Sequence, residues 1–131
     1  MPVRRVILDH LTLGVSDLER SRAFYEAALR PLGIGQAHTH ETLPGVAFGP
    51  EGLEDFIISP AYPVGAPVHV ALAADSRAQV DGFHAAGLAA GGRDNGGPGI
   101  RPAYSESYYG AFLLDPDGHN VEAVFHEPTG G

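Results

Sequence analysis

Two histidines stand at matching places in two short apolar stretches, Val6-Ile7-Leu8-Asp9-His10-Leu11-Thr12-Leu13-Gly14-Val15 and Val68-His69-Val70-Ala71-Leu72-Ala73-Ala74. Strand periodicity puts His10 with Thr12 and Gly14, opposite the bulky Leu11, Leu13 and Val15. His69 takes the same position on the second stretch. Two imidazoles set this way read as two arms of one metal site, imidazole being a common metal ligand. A third group is Glu122, which shares a strand face with Asn120 and Val124 and so is a carboxylate in the middle of a half-buried strand. The chain has no cysteine, which excludes disulfides, thiolate ligands and cysteine nucleophiles. It has no lysine either, which removes Schiff-base chemistry and the lysine of a P-loop. Any metal must therefore be held by imidazole and carboxylate.

Other side chains with chemistry gather near the end of the chain. Tyr104, Tyr108 and Tyr109 cluster at the start of the last hairpin. Tyr108 and Tyr109 are candidate catalytic phenols and Tyr104 a candidate substrate contact, since a phenol offers a donor beside an apolar wall. Packing or a dimer contact is their plainer role. Arg93, within the glycine-rich Gly91–Gly99, and Arg101, just after it, are candidates to hold an anionic substrate group, or simply to face solvent. His38 and His40 either line a cavity or face solvent, and His84 reads as helical surface. His119 belongs to a turn, and His126 reads as a cavity-rim or edge-strand residue. Glu51, Glu54 and Asp55 read as a solvated charge run.

The elements that must position these residues come in two rounds. A strand from about Arg5 to Val15 leads into the capping box Ser16-Asp17-Leu18-Glu19, with Ser16 as the cap. The helix that follows carries Leu18, Arg22, Tyr25 and Leu29 on one stripe, flanked by Phe24 and Ala28, and ends at Pro31 and Gly33. Short strands are expected at about Gly35–Glu41, Val46–Phe48 and Leu53–Ser59, then a proline- and glycine-rich linker. At an offset of 59, which carries His10 onto His69, Leu13 meets Leu72, Phe24 meets Phe83, Ala27 meets Ala86, Leu29 meets Leu88 and Gly33 meets Gly92. Ser76-Arg77-Ala78-Gln79 opens a second helix to about Ala90. Gly91–Gly99 reads as a flexible loop. Tyr108–Leu114, the turn Asp115-Pro116-Asp117-Gly118 and Asn120–His126 read as a hairpin. Each half reads βαβββ. The expectation is one α+β domain, with modules at about 5–59 and 67–127 and a linker at about 60–66.

At 131 residues the chain suits one domain. A formal charge of −8 argues against nucleic acid as a partner. No apolar run approaches the length that spans a bilayer, and the first residues lack the apolar core of a signal peptide. The expected setting is cytoplasmic and the expected partner a small molecule.

The stretches Asp9-His10-Leu11-Thr12-Leu13-Gly14-Val15, Asp17-Leu18, Phe24-Tyr25 and Asp115-Pro116-Asp117-Gly118-His119-Asn120-Val121-Glu122 resemble, in this order, the vicinal oxygen chelate superfamily. That group includes glyoxalase I, extradiol dioxygenases, fosfomycin-resistance transferases and bleomycin-resistance proteins. The resemblance implies two βαβββ modules forming a curved, half-open mixed sheet around a metal, with His10, His69 and Glu122 as ligands. It implies one divalent ion per chain (Fe, Mn, Ni or Zn), a small oxygen-rich substrate, and a homodimer. This chain departs from the glyoxalase I pattern at Phe56-Ile57-Ile58-Ser59, where a fourth ligand is expected and nothing can donate. It departs from the extradiol pattern at Phe112, where a tyrosine is expected, and from the fosfomycin pattern in having no lysine. The expected function is a metal-dependent glyoxalase- or dioxygenase-like enzyme, with lyase or isomerase, dioxygenase and thiol-transferase chemistry all open. The alternative is a metal-free antibiotic-binding protein of the bleomycin-resistance type.

Overall fold

The computed structural model describes residues 7–37 and 44–128. His38 and His40 lie outside the described residues. The first module contains β1 (Leu11–Gly14), α1 (Leu18–Leu29), β2 (Gly35–Gln36), β3 (Val46–Gly49) and β4 (Phe56–Ser59). The second contains β5 (His69–Ala73), α2 (Arg77–Ala89), β6 (Arg93–Ile100), β7 (Tyr108–Leu114) and β8 (Asn120–His126). Each module forms a four-stranded mixed sheet of the same topology, ordered β1-β4-β3-β2 and β5-β8-β7-β6. In both, the first strand runs parallel to the last and stands at the sheet edge. No helix among the described residues is long and apolar enough to cross a membrane.

The 59-residue repeat is visible in the helices. Asp17 caps α1 by accepting from the Arg20 amide at 3.2 Å, and Ser76 caps α2 by accepting from the Gln79 amide at 3.1 Å. Ser16 is therefore not the cap; its amide and hydroxyl both donate to Asp117 instead. The buried face of α1 is Ser21, Phe24, Tyr25, Ala28 and Leu29, while Arg22 turns outward to Glu19 and Glu26. On α2 the buried residues are Val80, Phe83 and Gly87. Ala28 and Gly87 are repeat partners and meet where the helices cross: a Cβ on Gly87 would stand 3.4 Å from that of Ala28 and 2.2 Å from Leu113 Cδ1. One core cluster joins both modules through Phe24, Leu29, Phe48, Ile58, Phe83 and Leu113.

Each sheet therefore has a closed face under its helix and an open face. In the first sheet Leu11 and Leu13 pair with Phe56 and Ile58 on the closed side, and Thr12 pairs with Ile57 on the open side. In the second, Val70 and Leu72 pair with Val121 and Ala123 on the closed side. Ala71 and Phe112 both pair with Glu122 on the open side.

Two expectations are corrected. His10 stands one residue before β1, not within a strand, among residues 7–10 that carry no strand structure. Gly91–Gly99 is not a loop: most of it is β6, paired with β7 through two register shifts at Asp94–Gly96 and Gly96–Gly99. Bulges of this kind let a glycine-rich strand stay in a sheet, because the backbone bonds do the pairing.

Candidate functional site

Glu122 lies at the centre of the open face of the second sheet, yet its side chain is only 1% exposed. The burial comes from its neighbours. The Nε2–H of His69, on the adjacent β5, donates to Oε1 at 2.7 Å. The Tyr108 hydroxyl, from β7, donates to Oε2. Gly110 leaves the space the carboxylate needs, since a Cβ there would stand 3.3 Å from Oε2 and 3.1 Å from Tyr108 Cε1. An ionised carboxylate at this depth costs several kcal/mol unless it is paired or metal-bound, on the order of what other buried ions require. Burial, and then the bond to Glu122, push the Tyr108 phenol well above its ordinary pKa. Tyr108 therefore keeps its proton and donates a hydrogen bond to Glu122. His69 is half exposed and reachable from the open side.

Around this pair, the Phe112 ring lies 6.2 Å from that of His69, and the Arg101 guanidinium lies 5.4 Å from the centre of Phe112. Tyr104 packs on Tyr108 at 4.9 Å, and His126 meets the Tyr108 ring edge-on at 5.2 Å. His126 is exposed, but β8 lies between β5 and β7, so it is not an edge-strand residue. Arg93 sits at the other end of β6, opposite Leu114, and is exposed. Tyr109 points the other way: its hydroxyl donates to Asp81 of α2 at 2.6 Å and Arg77 covers its ring. It does not share the open face with Tyr108 and Glu122.

His10 is not brought to this cluster. Its Nδ1 bonds Asp9 at 2.8 Å, and it borders the open face of the first sheet. There a cavity of about 450 Å³ is lined by His10, Thr12, Ala47, Ile57 and Tyr62. A second cavity of about 400 Å³, bordered by His10, Phe56, Ala71 and Ala73, lies between the first module and β5. Among the described residues no three His, Cys, Asp or Glu side chains converge in a way that could hold a metal ion. The donor types at His69 and Glu122 fit a mid-series divalent ion, but among the described residues one chain brings only these two together.

The sequence reading missed the joint that fixes the two half-sites relative to each other. Asp115, 1% exposed, accepts from the Tyr25 hydroxyl of α1 at 2.5 Å and from the amides of Asp117 and His119, each at 2.9 Å. His119, read as a turn residue, is buried. Its Nδ1 accepts from the Val68 amide at 3.1 Å and its Nε2–H donates to the Gly14 carbonyl at 3.2 Å. One imidazole thus ties the end of β1 to the start of β5, next to His69. His84, read as surface, is largely covered and bonds Asp94 at 2.8 Å. That bond holds the Asp94 carboxyl below its ordinary pKa.

Comparison with known proteins agrees with this architecture. The sequence model of the glyoxalase/bleomycin resistance protein/dioxygenase superfamily matches residues 7–123. A solved glyoxalase/bleomycin resistance protein from Albidiferax ferrireducens T118 is 34% identical, with 93% of this chain and 100% of that one covered and a TM-score of 0.76. A lactoylglutathione lyase from Agrobacterium tumefaciens shares the fold at 19% identity, with 95% of each chain covered and a TM-score of 0.65. The V278E mutant of glyoxalase I from Zea mays does so at 24% identity, with 88% of this chain and 44% of that one covered and a TM-score of 0.64. No functionally curated protein matches the chain.

Proposed function

This chain belongs to the glyoxalase/bleomycin resistance protein/dioxygenase superfamily, and we propose that it is a metal-dependent member acting on a small oxygen-rich molecule. His69 and Glu122 of one chain hold a divalent ion (Fe, Mn, Ni or Zn), and His10 of a second copy completes the site. The observation that carries this reading is the placement of Glu122, a buried carboxylate held by Tyr108 with His69 against its other oxygen. The location of His10 supports a shared site: among the described residues it lies outside any three-donor group, and β1 and β5 stand at the edges of their sheets. Two-fold pairing of a duplicated chain brings such half-sites together twice over.

Bound there, the ion supplies Lewis-acid polarisation of substrate oxygens. The chain itself contributes the rest. Tyr108 fixes the orientation of Glu122 and carries a proton that a substrate oxygen can share. Phe112 gives the site an apolar floor, and Ile57, on the open face of the first sheet, offers no ligand. The lack of a donor at Ile57 weighs against the glyoxalase I reaction, Phe112 against the extradiol one and the absence of lysine against fosfomycin-type transfer, so the proposal is metal-assisted chemistry with the reaction type open.

Metal uptake tests the proposal. Unstripped protein should carry close to one divalent ion per chain, and stripped protein should gain thermal stability from Mn, Fe, Ni or Zn. A metal-free binding protein is the second reading, favoured by the mostly apolar 450 Å³ cavity on the first sheet. Protein that holds no metal and is not stabilised by any of the four ions would establish that reading instead.

A further inference from the structure

We propose that Arg101 forms a carboxylate-binding subsite on the open face of the second sheet, so that the molecule bound there is an organic acid. This rests on the proposed metal reading only for what lies at the other end of that molecule.

Arg101 follows β6 and folds back across it. Its Nη2 donates to the Gly97 carbonyl at 2.6 Å, and its guanidinium lies over Phe112. The strand beneath is shaped for this side chain. A Cβ on Gly99 would stand 3.1 Å from Nη1, and one on Gly96 would stand 3.3 Å from Nη2 and 3.1 Å from Phe112 Cδ1. The glycines that resembled a loop in the sequence thus leave a trough for a guanidinium.

The charge in that trough has no ion-pair partner among the described residues. Arg22, Arg30 and Arg77 each reach a carboxylate, whereas Arg101 makes no ion pair among the described residues. A guanidinium already oriented by a carbonyl and a ring keeps its other N–H groups for a planar carboxylate, the partner its fork fits best. Phe112 lies between Arg101 and His69 and supplies the floor for an apolar or aromatic body. Arg93, at the far end of β6 and exposed, is predicted to take no part.

Benzoate and its neutral counterpart benzamide, titrated calorimetrically into metal-stripped full-length protein, test the subsite. Wild type should bind benzoate at least ~10-fold more tightly than benzamide, the increment of one charge-assisted contact. Arg101→Gln should erase that preference and Arg93→Gln should keep it. Gly99→Ala, which displaces the guanidinium without removing it, should reduce the preference. Gly97→Ala, with nothing within 4 Å of its Cβ, should leave it intact. Equal binding of the two probes to wild type, or a preference that survives Arg101→Gln, overturns the proposal. Glu122→Gln separates it from the metal reading, since this variant should lose metal and keep the benzoate preference. Loss of that preference in Glu122→Gln would place the anion at the His69–Glu122 pair and overturn the Arg101 subsite.

Discussion

Glu122→Gln is expected to weaken divalent-metal binding by more than about 100-fold, beyond the range seen when only an outer-shell partner is lost. It should do so without unfolding the protein. Glutamine keeps the volume of the side chain, still accepts from the Tyr108 hydroxyl and no longer buries a charge. Its partner His69 is half exposed, so the change strands no charge in the interior. The metal-stripped variant should therefore melt at or above the wild-type temperature, while the gain on adding metal disappears. Glu122→Ala should behave differently. It leaves the Tyr108 hydroxyl without its acceptor and opens a void, for a loss of roughly 2–3 kcal/mol. Equilibrium dialysis with Zn or Ni alongside thermal melts separates the two effects. A Glu122→Gln protein that still bound metal tightly would remove Glu122 from the ligand set.

Asp115→Ala is expected to be the most destabilising single change, by about 3–5 kcal/mol in urea denaturation. The loss comes from stranded donors. Tyr25 is fully buried, and its hydroxyl would lose its partner together with the amides of Asp117 and His119. Burial, and then the neighbouring Asp115 charge, hold the Tyr25 phenol far above its ordinary pKa, so it cannot ionise to escape. Tyr25→Phe should cost less, about 1–2 kcal/mol, because Asp115 keeps its two backbone donors. Adding Tyr25→Phe to Asp115→Ala should recover stability, since the stranded hydroxyl is then gone. That non-additivity marks a direct contact. Simple additivity would mean that the bond contributes nothing.

The parts legible in the sequence were those that local pattern controls. Period-two alternation placed Glu122 on the opposite face from Val121 and Ala123, and the last hairpin begins and ends where its turn residues required. The repeat was readable because equivalent helices keep equivalent buried positions, such as Phe24 and Phe83. What escaped depends on distant partners. Ser16 and Asp17 both have capping side chains, and Asp117, about a hundred residues away, draws Ser16 off. His119 sits in a strong turn motif, which hid the fact that its ring bridges Gly14 and Val68. Gly91–Gly99 has poor strand propensity, so only its pairing with β7 reveals β6 and the trough for Arg101. Matching sequence positions suggested that His10 and His69 act together, but equivalence in a duplication is not proximity. His10 borders the other sheet.

Mixing subunits tests the shared metal site most directly. His10→Ala and Glu122→Gln proteins should each bind no metal tightly. Unfolded together and refolded as a mixture, they should recover about a quarter of the wild-type capacity, because half the dimers are mixed and each of those rebuilds one of its two sites. A mixture as metal-free as its parents would contradict a site built from His69 and Glu122 of one copy and His10 of the other.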